Sequence, residues 1–293
     1  MENVKVPFEA FEDWLTLRNY AAATKKSYVS RLRQFLLWRQ RRGDAGEITE
    51  AAVRDYLIER SDRGLSWQSI NGDYSAIQMY FTGILEREWL VEHLPRPRKE
   101  KSLPKILSVE EVECLINAGS MLKHQAFMAL LYGTGLRLSE AINLRIKDVD
   151  GQRGQLLVSK GKGRKDRYVM VPACLLEVLR TYYRACKPKE YLFNGSYSGG
   201  KWANRAAQYA IENAAIKAGI IRPVSAHILR HCYATHHLEK GTSIVFLKQQ
   251  LGHANLTTTA KYLHLCVNYE QKVDHPLKGL ELRLRPAADR LEG

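Results

Sequence analysis

A stretch rich in proline and positive charge, HLPRPRKEKSLPKIL at residues 93–107, divides this chain into two parts that must bury their apolar faces separately. Its three prolines each fix φ and remove a backbone donor, and each pushes the preceding residue toward extended geometry. The segment therefore reads as an extended basic linker between a domain at 1–92 and a second at 108–293. A chain of 293 residues fits that division.

The first part carries helical periodicity throughout. Phe8, Phe11 and Leu15 recur at i, i+3 and i+7. Thr24 can cap a second helix with Tyr28, Leu32, Phe35 and Leu36 on one stripe. Thr49 can cap a third, carrying Val53, Tyr56 and Leu57. Ser66 can cap a fourth, with Ile70, Tyr74, Ile77, Phe81 and Ile84 along one side. Four such helices form a small bundle. Basic residues surround the second stripe, among them Lys25, Arg31 and Arg39, as a solvated face or as contacts to a polyanion.

Charge bears on that choice. Lys and Arg number 45 against 31 Asp and Glu, a net charge of +14, and such a surplus attracts nucleic acid. The five cysteines are scattered, with no C-x-x-C pair, which argues against a disulfide framework or a zinc knuckle and fits a reducing compartment. The opening MENVKVPFEAFEDW is charged, unlike a secretory signal, and no apolar run approaches membrane-spanning length. A soluble cytoplasmic protein is expected.

In the second part, Ser108 and Glu111 form a capping-box pattern. The apolar AFMALLYGTG ends at Gly133 and Gly135. QLLVS and RYVMV flank the glycine-bearing KGKGRKD, a pattern for two strands and a basic turn. Helices are expected at 173–185, near 203–218 and at 226–240, the last stopped by Gly241, and a shorter one is stopped by Gly252. The fold class is mainly α with a small antiparallel β-sheet.

Four segments carry candidate chemistry: GTGLRLSE, SKGKGRKDR, HILRHCYATHHLEKG and LGHANLTTTAKYLH. His227 and Arg230, three apart, share a helix face. His227 and His231 are four apart, but a zinc protease motif needs Glu where Ile228 stands. KGKGRKD is not a phosphate-cradling loop of the G-x-x-x-x-G-K-[ST] kind. Singly, Arg137 reads as a surface ion pair, Lys162 as a solvated turn lysine and Tyr262 as packing.

In sequence order, however, Arg, Lys, His-x-x-Arg, His and Tyr resemble the tyrosine recombinase (phage integrase) family. The likeness is carried by G-T-G-L-R-x-S-E, G-K-G, H-x-L-R-H-x-x-A-T-H, L-G-H and a tyrosine nine residues after that histidine. The layout is similar to the compact Xer and integron-integrase branches. The resemblance implies a helical N-terminal DNA-clamping domain and a tyrosine-recombinase catalytic domain. It implies Arg137, Lys162, His227, Arg230, His253 and Tyr262 as the active-site residues, with Tyr262 the nucleophile. Lys160 stands close by, but the Gly-Lys-Gly setting favours Lys162. It further implies double-stranded DNA as partner, a 3′-phosphotyrosine intermediate, a tetramer on two DNA sites, and a C-terminal tail docking in trans on a neighbouring protomer. No metal or ATP is expected, because arginines take the place of a phosphate-neutralising cation. Lys25, Arg31 and Arg39 become candidate phosphate contacts, and the protein is expected at the nucleoid. Rival readings are a type IB topoisomerase, which shares the phosphate chemistry, and a non-catalytic DNA-binding relative.

Overall fold

The computed structural model describes residues 7–44, 46–89, 106–159, 166–195 and 200–266, in two compact units divided between Ser102 and Leu103. The described residues include no helix long and apolar enough to cross a membrane.

The first unit consists of α1 (Pro7–Leu17), α2 (Ala22–Arg41), α3 (Glu50–Asp62) and α4 (Trp67–Gly83). Phe11, Leu15, Leu32, Phe35, Val53, Tyr56, Ile70 and Ile77 close its core, so the four apolar stripes meet as their spacing predicts. Thr49 and Ser66 cap α3 and α4 by accepting from the backbone N–H groups of Ala52 and Ser69. Thr24 does not cap α2. That helix begins two residues earlier, with Ala21 at the cap position and no side-chain cap, and Thr24 lies within its first turn. The alanines at 21–23 favour helix enough to extend it past the candidate cap.

Two arginines of the basic face of α2 are turned to internal use. Arg39 is 6% exposed. It donates from Nε and Nη2 to the Asp44 carboxylate at 2.8 and 2.9 Å and from Nη2 to the carbonyls of Gly46 and Glu47. Arg31 donates from Nη1 to the Ser69 carbonyl at 2.6 Å and to Asp73 Oδ1 at 2.7 Å. Asp73 is fully buried and also accepts from Arg60 Nε, so two guanidinium groups neutralise one interior carboxylate. Gly72 makes this possible: a Cβ there would stand 2.6 Å from the Arg31 guanidinium carbon. These internal bonds weigh against Arg31 and Arg39 as phosphate contacts. Arg39 spends Nε and Nη2 on the bundle and Arg31 its Nη1, whereas half-buried Lys25 donates to Thr16 Oγ1 at 2.9 Å.

The second unit contains α5 (Val109–Asn117), α6 (Leu122–Thr134), α7 (Leu138–Asn143), β1 (Val149–Asp150), β2 (Gln155–Val158), β3 (Arg167–Met170), α8 (Ala173–Cys186), α9 (Asn204–Lys217), α10 (Ala226–Glu239), α11 (Ile244–Leu251) and α12 (Leu256–Ala260). The strands pair antiparallel in the order β1-β2-β3, and Leu156 opposite Val169 turns one face inward. Helix α6 is central: Ala126, Phe127, Met128, Leu130 and Leu131 are fully buried, and it packs against α8 and α10. The Ser108–Glu111 capping box is present. Sequence reading missed β1, whose two residues are too few to show an alternation.

One boundary also moves. Leu107, placed at the end of the linker from its sequence, is 1% exposed. Its N–H donates to Cys232 Sγ and its carbonyl faces His236 Nε2 at 3.0 Å, so it belongs to the second unit. An apolar residue three places past the last proline has core to bury and no ring to restrain it. Residues 93–105 of that linker lie outside the described residues.

This arrangement separates two kinds of basic residue on α2. Arg39→Gln should lower the unfolding free energy by about 1–3 kcal/mol, because two carbonyls lose their donor. It should leave the salt dependence of DNA binding unchanged. Lys25→Gln should leave stability nearly unchanged. If Lys25 is a phosphate contact, that variant lowers the slope of log K against log salt by about 0.9. Urea melts and binding titrations at several salt concentrations check both, and a reduced slope for Arg39→Gln would contradict its internal assignment.

Candidate active site

Gly135 sets the geometry of the first candidate residue. It ends α6 with φ of +63°, and a Cβ there would lie 2.5 Å from the Tyr233 ring. The turn it permits places Arg137 at the N-cap of α7. Glu140 then closes a capping box, accepting from the Arg137 backbone N–H and from Arg137 Nη1, both at 2.9 Å.

The same turn supplies a ligand for Arg230. This residue lies on α10 and is 1% exposed. Its Nη1 donates to the Gly135 carbonyl at 2.6 Å, and its Nη2 donates to the Leu251 carbonyl at 2.7 Å. Nη2 also lies 3.0 Å from His253 Nε2. A guanidinium can only donate, so His253 Nε2 accepts. The proton of this neutral ring is then on Nδ1, which donates to Thr259 Oγ1 at 2.9 Å. Gly252, at φ +64°, ends α11 and turns the chain so that His253 reaches Arg230.

Tyr262 lies in the turn just after α12 and is 5% exposed. Its ring is 6.2 Å from that of His253, nearly parallel, and 5.3 Å from that of His231. His231 in turn meets His227 edge to face at 4.4 Å, one helical turn back along α10. The structure thus brings Arg137, His227, Arg230, His253 and Tyr262 into one region of the second unit. Lys162 and its neighbour Lys160 lie outside the described residues.

Electrostatics follow from burial. Desolvation, with the charges of Arg230 and Arg137, lowers the pKa of His253 to about 4. Desolvation, with His227 and Arg230, does the same for His231. Burial and the same two arginines lower His227, so its ring is neutral near pH 7 and able to accept a proton. Burial lowers Arg230 to about 10, leaving it charged. Burial raises the Tyr262 hydroxyl while Arg230 pulls the other way, so the phenol rests protonated beside a cation that would stabilise its anion. No carboxylate directly pairs with Arg230 among the described bonds. A buried, unneutralised guanidinium is a ready site for an anion.

Several residues of this region were not assigned roles from sequence. Glu140 stands in the motif that carries Arg137, and its i+3 spacing was a usable signal. Thr259 and Arg167 had none: one is a threonine among three, the other a basic residue in a basic string. Arg167 donates to both oxygens of Glu140, at 3.0 and 2.9 Å. Among the described residues no group of three or more His, Cys, Asp or Glu side chains could hold a metal.

Residues 105–268 match the phage integrase family, and residues 8–90 match the phage integrase N-terminal SAM-like domain. The chain belongs to the phage integrase family of tyrosine recombinases. The tyrosine recombinase XerA of Thermococcus kodakarensis is 33% identical over 280 residues, covering 93% of this chain and 95% of its own. The tyrosine recombinase XerC of Bacillus subtilis is 32% identical over 288 residues, covering 90% of this chain and 93% of its own. Among solved structures, the XerH site-specific recombinase bound to palindromic difH in a post-cleavage complex aligns with a TM-score of 0.71. At 24% identity, with 88% of this chain and 81% of that chain covered, it shows the shared fold. A chain of this family is a site-specific recombinase, and the likeness to the Xer branch agrees with the reading of the motifs.

The two histidines give the second unit a defined acid sensitivity. Their folded pKa values are depressed from 6.5 to about 4, so the unfolded chain binds protons first. The stability they contribute is complete above about pH 6.5 and is lost as pH falls from there toward 4. Chemical denaturation at pH 7.5 and pH 5 should show this loss. His231→Gln, which removes one titrating ring, should shrink the difference between the two pH values; an unchanged difference would mean His231 does not contribute.

Proposed function

We propose that this recombinase cuts and rejoins double-stranded DNA through a covalent bond between Tyr262 and a 3′-phosphate. The observation that carries this reading is the buried, carbonyl-held Arg230 meeting His253 beside the Tyr262 ring. Besides its bonds to two carbonyls and His253, Arg230 hydrogen-bonds with the Tyr262 hydroxyl, so the guanidinium already stands at the attacking oxygen. Arg137, a quarter exposed at its side chain, supplies the second fork.

In the proposed reaction His227 assists removal of the Tyr262 hydroxyl proton or positions the phosphate. The phenolate oxygen forms a bond to phosphorus as the bond to the 5′-oxygen breaks. Lys162 gives that leaving oxygen its proton. Arg137 and Arg230 grip the non-bridging oxygens as their charge grows, each such donor supplying roughly 3–4 kcal/mol in the transition state. His253 adds a donor once its proton moves from Nδ1 to Nε2, with the Thr259 hydroxyl turning to donate to Nδ1. Rejoining runs the same steps backward with a new 5′-hydroxyl. No step requires a metal, since arginines neutralise the phosphate. Lys25 contributes to duplex binding. The working unit is a tetramer on two DNA sites, with residues 270–293 docking on a neighbouring protomer.

The target duplex is first obtained by selection from a random-sequence library. A nicked derivative then traps the covalent adduct on a denaturing gel. Wild-type protein should form the adduct in excess EDTA, and Tyr262→Phe should bind the duplex yet form none. An adduct with the Phe variant removes Tyr262 as nucleophile, and loss in EDTA restored by Mg²⁺ overturns the metal-free scheme. Lys162→Ala should slow cleavage of ordinary DNA and recover on a duplex with a 5′-bridging sulfur, because a thiolate leaves without a proton. Absence of rescue transfers the acid role to Lys160 or elsewhere.

Removal of residues 270–293 should leave binding to a single duplex nearly intact and weaken pairing of two duplexes and strand exchange. Strand exchange at the full-length rate would refute docking in trans. A monomer that relaxes supercoiled DNA without pairing two sites would favour the topoisomerase reading.

A further inference from the structure

Glu140 stands where its charge could do harm. Its side chain is 6% exposed and lies against Arg137, a guanidinium needed for phosphate. Four N–H donors converge on the carboxylate. Oε1 accepts from Arg137 Nη1 at 2.9 Å and Arg167 Nη1 at 3.0 Å. Oε2 accepts from the Arg137 backbone N–H and from Arg167 Nη2, both at 2.9 Å. A carboxylate offers about four lone-pair sites, so this one is saturated. Arg137 spends a single guanidinium N–H on it, whereas Arg167 commits its whole fork.

Arg167 is itself held from behind. Its Nε donates to the Gln250 carbonyl at 3.0 Å. Its guanidinium lies so close to Gly252 that a Cβ there would stand 2.9 Å from Nε. Gln250 Oε1 accepts from the Met170 backbone N–H at 2.8 Å, tying β3 to α11 a second time. Arg167 is 13% exposed at its side chain and makes no bond to Tyr262, Arg230 or His253 among those described.

We propose, building on the phosphate grip assigned to Arg137, that Arg167 is a positioning residue that neutralises Glu140 so that the Arg137 guanidinium stays free for the scissile phosphate. With Arg167 in place, the charges of Arg137, Arg167 and Arg230 outweigh that of Glu140 by two. Without it the surplus falls to one. Glu140 loses two donors where little water can replace them, and the nearest cation to fill the vacancy is Arg137. Its fork turns from the phosphate to the carboxylate. Arg167 therefore acts on the chemical step and not on duplex affinity, and the charge matters more than the fork.

The test uses full-length protein and the nicked duplex obtained by library selection, in single-turnover cleavage over a range of DNA concentrations. Arg167→Gln should lower the saturating rate by about 10²-fold, the cost of a misplaced catalytic group. The half-saturating DNA concentration should move by less than about threefold, marking a loss confined to the transition state. Adding Glu140→Gln to that variant should raise the rate by about tenfold over Arg167→Gln alone, since no carboxylate remains to capture Arg137. A purely structural role predicts the reverse, a double variant at least as impaired. Arg167→Lys, which keeps the charge, should retain at least about a tenth of the wild-type rate by the same coupling. It carries the test if the Gln variant fails to give a cooperative melt.

A folded Arg167→Gln protein cleaving at the wild-type rate overturns the proposal. So does a double variant no faster than Arg167→Gln, or a folded Lys variant slowed about 10²-fold. Arg137→Gln and Tyr262→Phe run alongside. If either cleaves at the wild-type rate, the reading of the site falls and takes this assignment with it. If both are inactive while Arg167→Gln is not impaired, only the role of Arg167 falls.

Discussion

A guanidinium in a protein interior must be hydrogen-bonded or it costs more than a small domain can spare. Arg230 meets that demand with the carbonyls of Gly135 and Leu251, which lie 95 and 21 residues away in sequence. Both carbonyls belong to helix ends, where backbone oxygens have no partner within their own helix. The ends of α6 and α11 are therefore fixed in space by a side chain of α10. From those two ends leave Arg137 and His253, the neighbours of Arg230 in the site. One buried cation thus satisfies two helix termini and sets where the chain goes next at each.

The glycines at these ends are part of the same constraint. Gly135 and Gly252 adopt positive φ and also lie under bulky neighbours, the Tyr233 ring and the Arg167 guanidinium. Their motifs, G-T-G-L-R and L-G-H, are therefore a description of backbone shape as much as of chemistry. Changing either residue to alanine adds both strain and a clash, and displaces a carbonyl or a histidine that Arg230 depends on.

Much of this was readable in advance because it is local. The stripes of α1 to α4, the caps at Thr49 and Ser66, and the stops at Gly135 and Gly252 each need only a few adjacent residues. What could not be read involves partners distant in sequence. Arg39 and Lys25 look alike along α2, and only the fold reveals that one is locked to Asp44 and the other only touches the Thr16 hydroxyl. Arg31 needs an aspartate 42 residues away, and Arg167 a glutamate 27 residues away, before its task is visible. Thr259 gains meaning only from the tautomer it fixes on His253. Charge on a helix face is legible; whether that charge is already spent is a tertiary fact.

The attachment of Leu107 has a mechanical side. Its backbone N–H and carbonyl are fastened to Cys232 and His236, both on α10. Cys232 is two residues from Arg230, and His236 is less than two helical turns from it. The point where the chain enters the second unit is thus moored to the helix that carries His227 and Arg230. Tension reaching Leu107 is therefore shared with α10 through two hydrogen bonds, less than two helical turns from Arg230.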